Sequence, residues 1–222
     1  MAAGEVTSTL EAYLEAVFEL EEVSERVTQA RLARWFGVSP PATSEVVRRA
    51  ERLGLIAFGS DRTIVLTGEG RRIAEGMARR HRLIERFLTD VLGVPWHLSD
   101  EEARKMEPGV SADVEERMTA VLRDVDRCPH GNPIPGGGAA GPVDLTPLDA
   151  CSPDVPVRID RIREDLELDL DMLRYLEEHK LLPGTTVTVA ERGPEGGVTV
   201  RRDETVVAVG PVLASHILCV PA

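Results

Sequence analysis

The chain has 222 residues, 42% hydrophobic and 29% charged, enough apolar material for one large core or two smaller ones, which excludes disordered and collagen-like classes. Aromatic residues make up only 4%, so Leu, Val, Ile and Ala must carry the packing, a composition that suits helices better than a large sandwich. The formal net charge of −12 argues against a polyanionic partner, but residues 26–82 hold twelve Arg, no Lys and five acids, a balance of +7 against −19 for the remainder.

Leu10, Tyr13, Leu14, Val17, Phe18 and Leu20 recur at near-helical spacing between glutamates, which predicts an amphipathic helix over 9–22 capped by Ser8 or Thr9. A shorter helix starting near Thr28 is expected to bury Ala30, Leu32, Ala33 and Phe36 and to end at Gly37. Ser39 followed by two prolines opens a third helix over 41–53, stopped by Gly54. Two short β-prone runs, 55–58 and 63–66, flank a polar turn and read as a hairpin. Helix, tight turn, helix and hairpin in this order form the pattern of a winged helix-turn-helix with Arg62 at the wing tip. In that pattern Gln29, Ser39, Pro41, Ala42, Thr43, Ser44 and Glu45 fall where DNA is read, and Arg48, Arg49, Arg52 and Arg62 are the expected phosphate contacts. Glu45 only accepts hydrogen bonds, so it favours the amino group of cytosine. The blander reading is a three-helix domain whose arginines are solvated surface.

A long helix is expected over 67–92, with two more over 99–106 and 111–125. Proline and glycine crowd the next stretch, so 136–153 reads as a linker. Beyond it lie a strand over 155–162, a helix over 169–179 and short apolar runs over 185–191, 197–201, 205–209 and 217–220, which together predict a compact β-barrel-like domain. No apolar run approaches the roughly 18 residues of a membrane span, and the first residues lack a basic stretch followed by an apolar one, so a cytoplasmic protein without membrane contact is expected. Cys128, Cys151 and Cys219 form no Cys-x-x-Cys pair, which speaks against a disulfide framework.

His81 and Glu85 stand four apart on the long helix and project from one face, a common way to present two metal ligands and equally the look of an ordinary surface pair. Carboxylates follow at Asp100, Glu101, Glu102 and Glu107, and Glu164 and Glu167 open the last domain. One imidazole among carboxylates suits Mn2+ or Fe2+ better than Zn2+. Cys128 and His130 sit in a Pro/Gly-rich segment without nearby partners and are read as structural, and His97, His179 and His216 as surface or packing residues. A hydrolase built around His81 is disfavoured, because no nucleophile and base are paired; the chain is read as no enzyme.

The runs Glu11-Ala12-Tyr13-Leu14 and Glu19-Leu20-Glu21-Glu22, the wing Ser60-Asp61-Arg62, His81-Arg82-Leu83-Ile84-Glu85-Arg86-Phe87-Leu88, residues 111–117 and above all Cys128-Pro129-His130-Gly131-Asn132-Pro133-Ile134-Pro135-Gly136 resemble the diphtheria toxin repressor family of iron- and manganese-dependent transcriptional regulators. The resemblance covers essentially the whole chain. It implies a mainly α multidomain protein: a winged helix-turn-helix over 1–74, a helical metal-binding and dimerisation domain over 75–136, a linker over 137–153 and an SH3-like β-barrel over 154–222. It also implies a homodimer on double-stranded operator DNA; a further function class is an interaction module, in which the SH3-like domain binds a Pro-rich segment such as its own linker alongside DNA binding.

The family's two metal sites carry over unevenly. The ancillary site corresponds to His81, Glu85, Asp100, Glu164 and Glu167, with Asp100 in place of a His, and implies one Mn2+ or Fe2+ per subunit. The primary site corresponds to Ala12, Arg104, Glu107 and Pro108, so three of its four ligands are replaced and Arg104 would repel a cation. In one expectation the Arg104 guanidinium substitutes for that metal, pairing with Glu107 and with Glu11 or Glu15. In the other, the protein binds DNA constitutively or answers to another signal.

Overall fold

The computed structural model describes residues 7–139, 144–193 and 195–222. The chain divides into two compact units, one through Arg80 and one from His81. In the first, α1 (Ser8–Glu22) buries the apolar face read from its spacing, with the cap one residue earlier at Thr7. The Thr28 hydroxyl caps α2 (Gln29–Trp35) by accepting from the Arg31 amide at 3.2 Å. Ala30 is exposed, contrary to expectation, while Val27 just ahead of the helix is buried. In α3 (Pro40–Arg52) two prolines occupy the first turn, where no amide partner is needed, and the Ser39 hydroxyl makes no capping bond. The strands β1 (Ile56–Phe58) and β2 (Ile64–Leu66) pair antiparallel, Ala57 opposite Val65. Arg26 fastens the wing turn between them, donating to the Asp61 carbonyl at 2.7 Å and to Thr63 Oγ1 at 3.3 Å.

The unit boundary falls within α4 (Gly68–Asp90). In the second unit, α5 (Ser99–Met106) is followed by a 3-10 turn (Glu107–Gly109) and α6 (Ala112–Val121), and Ile84, Leu88, Ala103 and Met118 form their shared core. The last helix stops short of the expected residue 125, because Leu122 turns extended and is buried with Leu83 and Ile134. Then come β3 (Thr146–Pro147), β4 (Pro156–Ile162), α7 (Glu164–Glu167), α8 (Leu170–Glu178), β5 (Thr186–Arg192), β6 (Val198–Arg202), β7 (Thr205–Val209), α9 (Pro211–His216) and β8 (Ile217–Pro221). The strands make one antiparallel sheet in the order β3-β8-β4-β5-β6-β7, curved by bulges in β4 and β5.

The stretch expected as a linker is only partly one. Thr146 and Pro147 pair with Cys219 and Leu218, and Leu148 is fully buried, so its end belongs to the sheet; residues 140–143 lie outside the described residues. All three cysteines are free and buried. Among the described residues no helix is long and apolar enough to cross a membrane.

Candidate metal centre and nucleic-acid face

The helical repeat of α4 turns His81, Arg82 and Glu85 inward, at 4%, 1% and 0% exposure. The first turn of α5 adds Asp100, also buried. His81 Nε2 lies 3.1 Å from Asp100 Oδ1, and its Nδ1 lies 3.5 Å from Glu107 Oε2. Asp100 is also gripped by the fork of Arg104 one turn along α5: Nε donates to Oδ2 and Nη2 pairs with Oδ1, both at 2.9 Å. Burial opposes the charge on Asp100, but His81 and Arg104 outweigh it and bring its pKa down to about 2. Burial likewise opposes an imidazolium at His81, and the Asp100 and Glu107 carboxylates raise it well above the usual histidine value.

The turn that follows α6 supplies the rest. Between its ends, the Cys128 amide donates to the Asn132 carbonyl at 2.8 Å and the Gly131 amide to the Cys128 carbonyl at 3.0 Å, which turns Cys128 and His130 inward. His130 Nδ1 is 2.8 Å from Glu85 Oε1 and 3.0 Å from Glu167 Oε2, with all three side chains fully buried. The turn is stapled to β4 and α7: the Ile162 amide donates to the His130 carbonyl, and Asn132 Nδ2 donates to both the Ile162 carbonyl and Glu167 Oε1. Trp96 lies over the His130 ring at 4.5 Å between centroids and donates its indole N–H to the Pro129 carbonyl. Arg82 spans to Glu164, with Nε 2.9 Å and Nη2 2.8 Å from Oε1.

Two donor groups result, His81–Glu85–Asp100 and Glu85–Cys128–His130, and Glu85 belongs to both; within each, one ligand atom per residue lies within 4.8 Å of the others. Buried Glu85 Oε2, His130 Nε2 and Glu164 Oε2 have no hydrogen-bond partner. Each such orphan costs roughly 1–3 kcal/mol. Four fully buried carboxylates, Glu85, Asp100, Glu164 and Glu167, face two guanidinium groups, Arg82 and Arg104. The residual charge is relieved by protonation or by a divalent cation, and the residues present fit such a cation. Burial, reinforced by Glu164, pushes the Glu167 carboxyl well up, and burial also holds the Cys128 thiol protonated.

Of the residues singled out in the sequence, His81, Glu85, Asp100 and Glu107 stand together; Glu167 joins through His130, and Glu164 is engaged by Arg82. Arg104 directs its fork to Asp100, a partner not anticipated in the sequence reading. Ala12 is half-buried on α1 and Pro108 is exposed. Cys128 and His130 were read as structural, yet they complete the second donor group; the Cys-x-His spacing was the available signal, and the partners that give it meaning are far along the chain.

On α3, Ser39, Pro41, Ala42, Glu45, Arg48 and Arg52 are exposed, and Ser44, Arg49 and, on α2, Gln29 are half-buried. Thr43 is a correction: it is fully buried with its hydroxyl 3.4 Å from that of Tyr13, so it packs α3 on α1 instead of facing outward. Pro41, Ser44, Glu45, Arg48 and Arg52 line one groove, and Gln29, Phe58 and Arg62 contribute to another beside the wing. Arg62, at φ 62°, forms the wing tip.

Residues 5–64 match the iron dependent repressor N-terminal DNA binding domain, 67–136 the iron dependent repressor metal binding and dimerisation domain, and 146–221 the FeoA domain. The chain is 40% identical to the iron-dependent repressor IdeR of Mycobacterium tuberculosis over 207 residues, 88% of this chain and 89% of that protein. It is 36% identical to the diphtheria toxin repressor of Corynebacterium diphtheriae over 203 residues, with the same coverage. Among solved structures, a manganese-dependent transcriptional repressor in complex with manganese superposes with a TM-score of 0.83 at 32% identity, covering 96% of this chain and all of that one. These likenesses, on top of the fold and the buried donor groups, make the chain a member of the iron-dependent repressor family, to which the diphtheria toxin repressor belongs.

Proposed function

We propose that this chain is a homodimeric transcriptional repressor that grips operator DNA through its winged helix and answers to a divalent metal, Mn2+ or Fe2+, held in its second unit. The observation that carries the reading is the fully buried Glu85, shared by two donor groups and left with an unpartnered carboxylate oxygen. Glu85, Cys128 and His130, with Glu167 beside them, would hold the ion, and His81, Asp100 and Glu107 form the harder alternative. The bound ion would supply positive charge that ties α4 to the 128–132 turn and α7. Exposed Val91, Leu92, Val114 and Val121 support pairing of two helical segments across a two-fold axis.

In this reading residues 1–74 bind DNA, 75–136 bind metal and dimerise, 137–153 link, and 154–222 form a regulatory SH3-like domain acting in the cytoplasm. A groove lined by Met172, Tyr175, Pro211, Val212 and Leu213 supports capture of a Pro-rich segment such as the chain's own linker. The deciding experiment is fluorescence anisotropy on duplex DNA selected from a random pool, with Mn2+, Fe2+ or a chelator. Metal-dependent binding is the expected result, and chelator-insensitive binding favours the second reading, a constitutive regulator in which Arg104 on Asp100 supplies the positive charge.

Two outcomes follow for solution behaviour. Raised His130 and a protonated Cys128 mean that the ion displaces protons, so affinity falls as pH drops. Calorimetry in buffers of different ionisation enthalpy should show about two protons released per ion near neutral pH, and no release would exclude these ligands. Arg52→Ala and Arg62→Ala should each weaken DNA binding across sequences and reduce the salt slope by about one, whereas an unchanged slope removes that arginine from the phosphate contacts.

A further inference from the structure

Asp100 is the one member of the harder donor group whose two oxygens are both already engaged by a cation of the chain itself. Arg104 pairs with Oδ1 and Oδ2 at 2.9 Å each, and His81 occupies Oδ1 as well. The Arg104 side chain is 44% exposed whereas that of Asp100 is 3% exposed, so the guanidinium reaches in from the surface like a stopper and has water to return to. On the other side of Glu85 the donors are a thiol and an imidazole, those of Cys128 and His130.

We propose that Arg104 is a tethered cation that occupies the carboxylate-rich side of the donor array, confines the exchangeable ion to Glu85, Cys128 and His130, and thereby sets the chain's preference for thiolate-accepting ions over Mn2+. The inference rests on the metal-responsive reading above and deepens it. A guanidinium cannot shed its proton, so an ion can use Asp100 only by displacing the fork. Such displacement penalises ions that rely on oxygen donors, Mn2+ above all. It leaves Fe2+, Co2+ and Zn2+, which accept sulfur, nearly unaffected.

The test compares the purified full-length protein with Arg104→Gln and Arg104→Lys, titrated with Mn2+ by loss of the free-ion electron paramagnetic resonance signal and with Co2+ by visible and near-ultraviolet absorption. Wild type is expected to bind Co2+ with a thiolate-to-cobalt charge-transfer band that Cys128→Ser removes, and to bind Mn2+ weakly. Arg104→Gln should tighten Mn2+ by at least about tenfold while changing Co2+ affinity less than about threefold, and Arg104→Lys, which keeps the charge and loses the fork, should fall between. Unchanged or weaker Mn2+ binding by Arg104→Gln, with the cobalt band intact, overturns the proposal and leaves the metal-responsive reading standing. A cobalt band that survives Cys128→Ser also overturns it. Failure of all variants to bind either ion overturns the proposal together with that reading.

Discussion

Glu85→Gln is expected to weaken Co2+ or Fe2+ binding by more than about a hundredfold and to abolish metal-stimulated DNA binding, the largest effect of any single ligand substitution. The residue is fully buried and shared by both donor groups, so no neighbouring carboxylate can take its place without moving a backbone element. The amide keeps the size of the side chain but not its charge, and it removes the anion that His130 Nδ1 faces at 2.8 Å. Removing a partner in the second coordination shell costs 10–100-fold in typical sites, and a direct anionic ligand costs more. Glu107→Gln is the useful contrast. Its carboxylate touches His81 alone among the ligand candidates, at 3.5 Å, and its side chain keeps 13% of its exposure, so a loss of about tenfold or less is expected. Calorimetric titration of both variants checks the order; equal losses, or a Glu85→Gln protein that binds like wild type, would place the ion elsewhere. The same variants should separate in melting experiments, because a ligand at a hundred times its Kd adds about 2.7 kcal/mol to the native state and Glu85→Gln should forfeit nearly all of it.

What could be read in advance follows from the range of the interactions. The apolar stripe of α1, the hairpin and the i,i+4 pair His81–Glu85 are set by spacing within a few residues, and they stand where periodicity placed them. The same local rule contains the Asp100–Arg104 pair, one helical turn apart on α5. Cys128 and His130 were illegible for a different reason. The carboxylates beside them, Glu85 and Glu167, lie 45 residues upstream and 37 downstream of His130, and only the packing of the turn between α4 and α7 brings them together. Thr43, by contrast, is legible from periodicity: with Val47 and Ala50 it stands at i, i+4 and i+7 on the buried face of α3, where its hydroxyl meets that of Tyr13. The two-residue strand β3 carries no period at all, and its place in the sheet is decided by β8.

Gly131→Ala is expected to destabilise the second unit by about 2–4 kcal/mol and to remove metal binding without touching a ligand. Gly131 sits at φ +91°, where a side chain is strained whatever the space, and a Cβ built on it would meet the Asp160 carbonyl oxygen at 2.2 Å and the Arg161 Cα at 2.8 Å. Those atoms belong to the bulge of β4, which cannot yield cheaply because Asp160 is itself held by Arg127 at 3.1 Å and Arg161 at 3.2 Å. The turn must therefore lift. Lifting it breaks the amide of Ile162 from the His130 carbonyl, withdraws Asn132 from Glu167 and takes His130 and Cys128 away from Glu85. Trp96 reports the movement directly, since its ring lies over His130 and its N–H is bonded to Pro129, and Trp35, the other tryptophan, lies in the first unit. A lowered denaturation midpoint, a changed Trp96 emission in a Trp35→Phe background and loss of the cobalt thiolate band should appear together. If the band and the emission persist in Gly131→Ala, the turn is not what aims Cys128 and His130, and the coupling of sheet, turn and metal argued from these contacts is wrong.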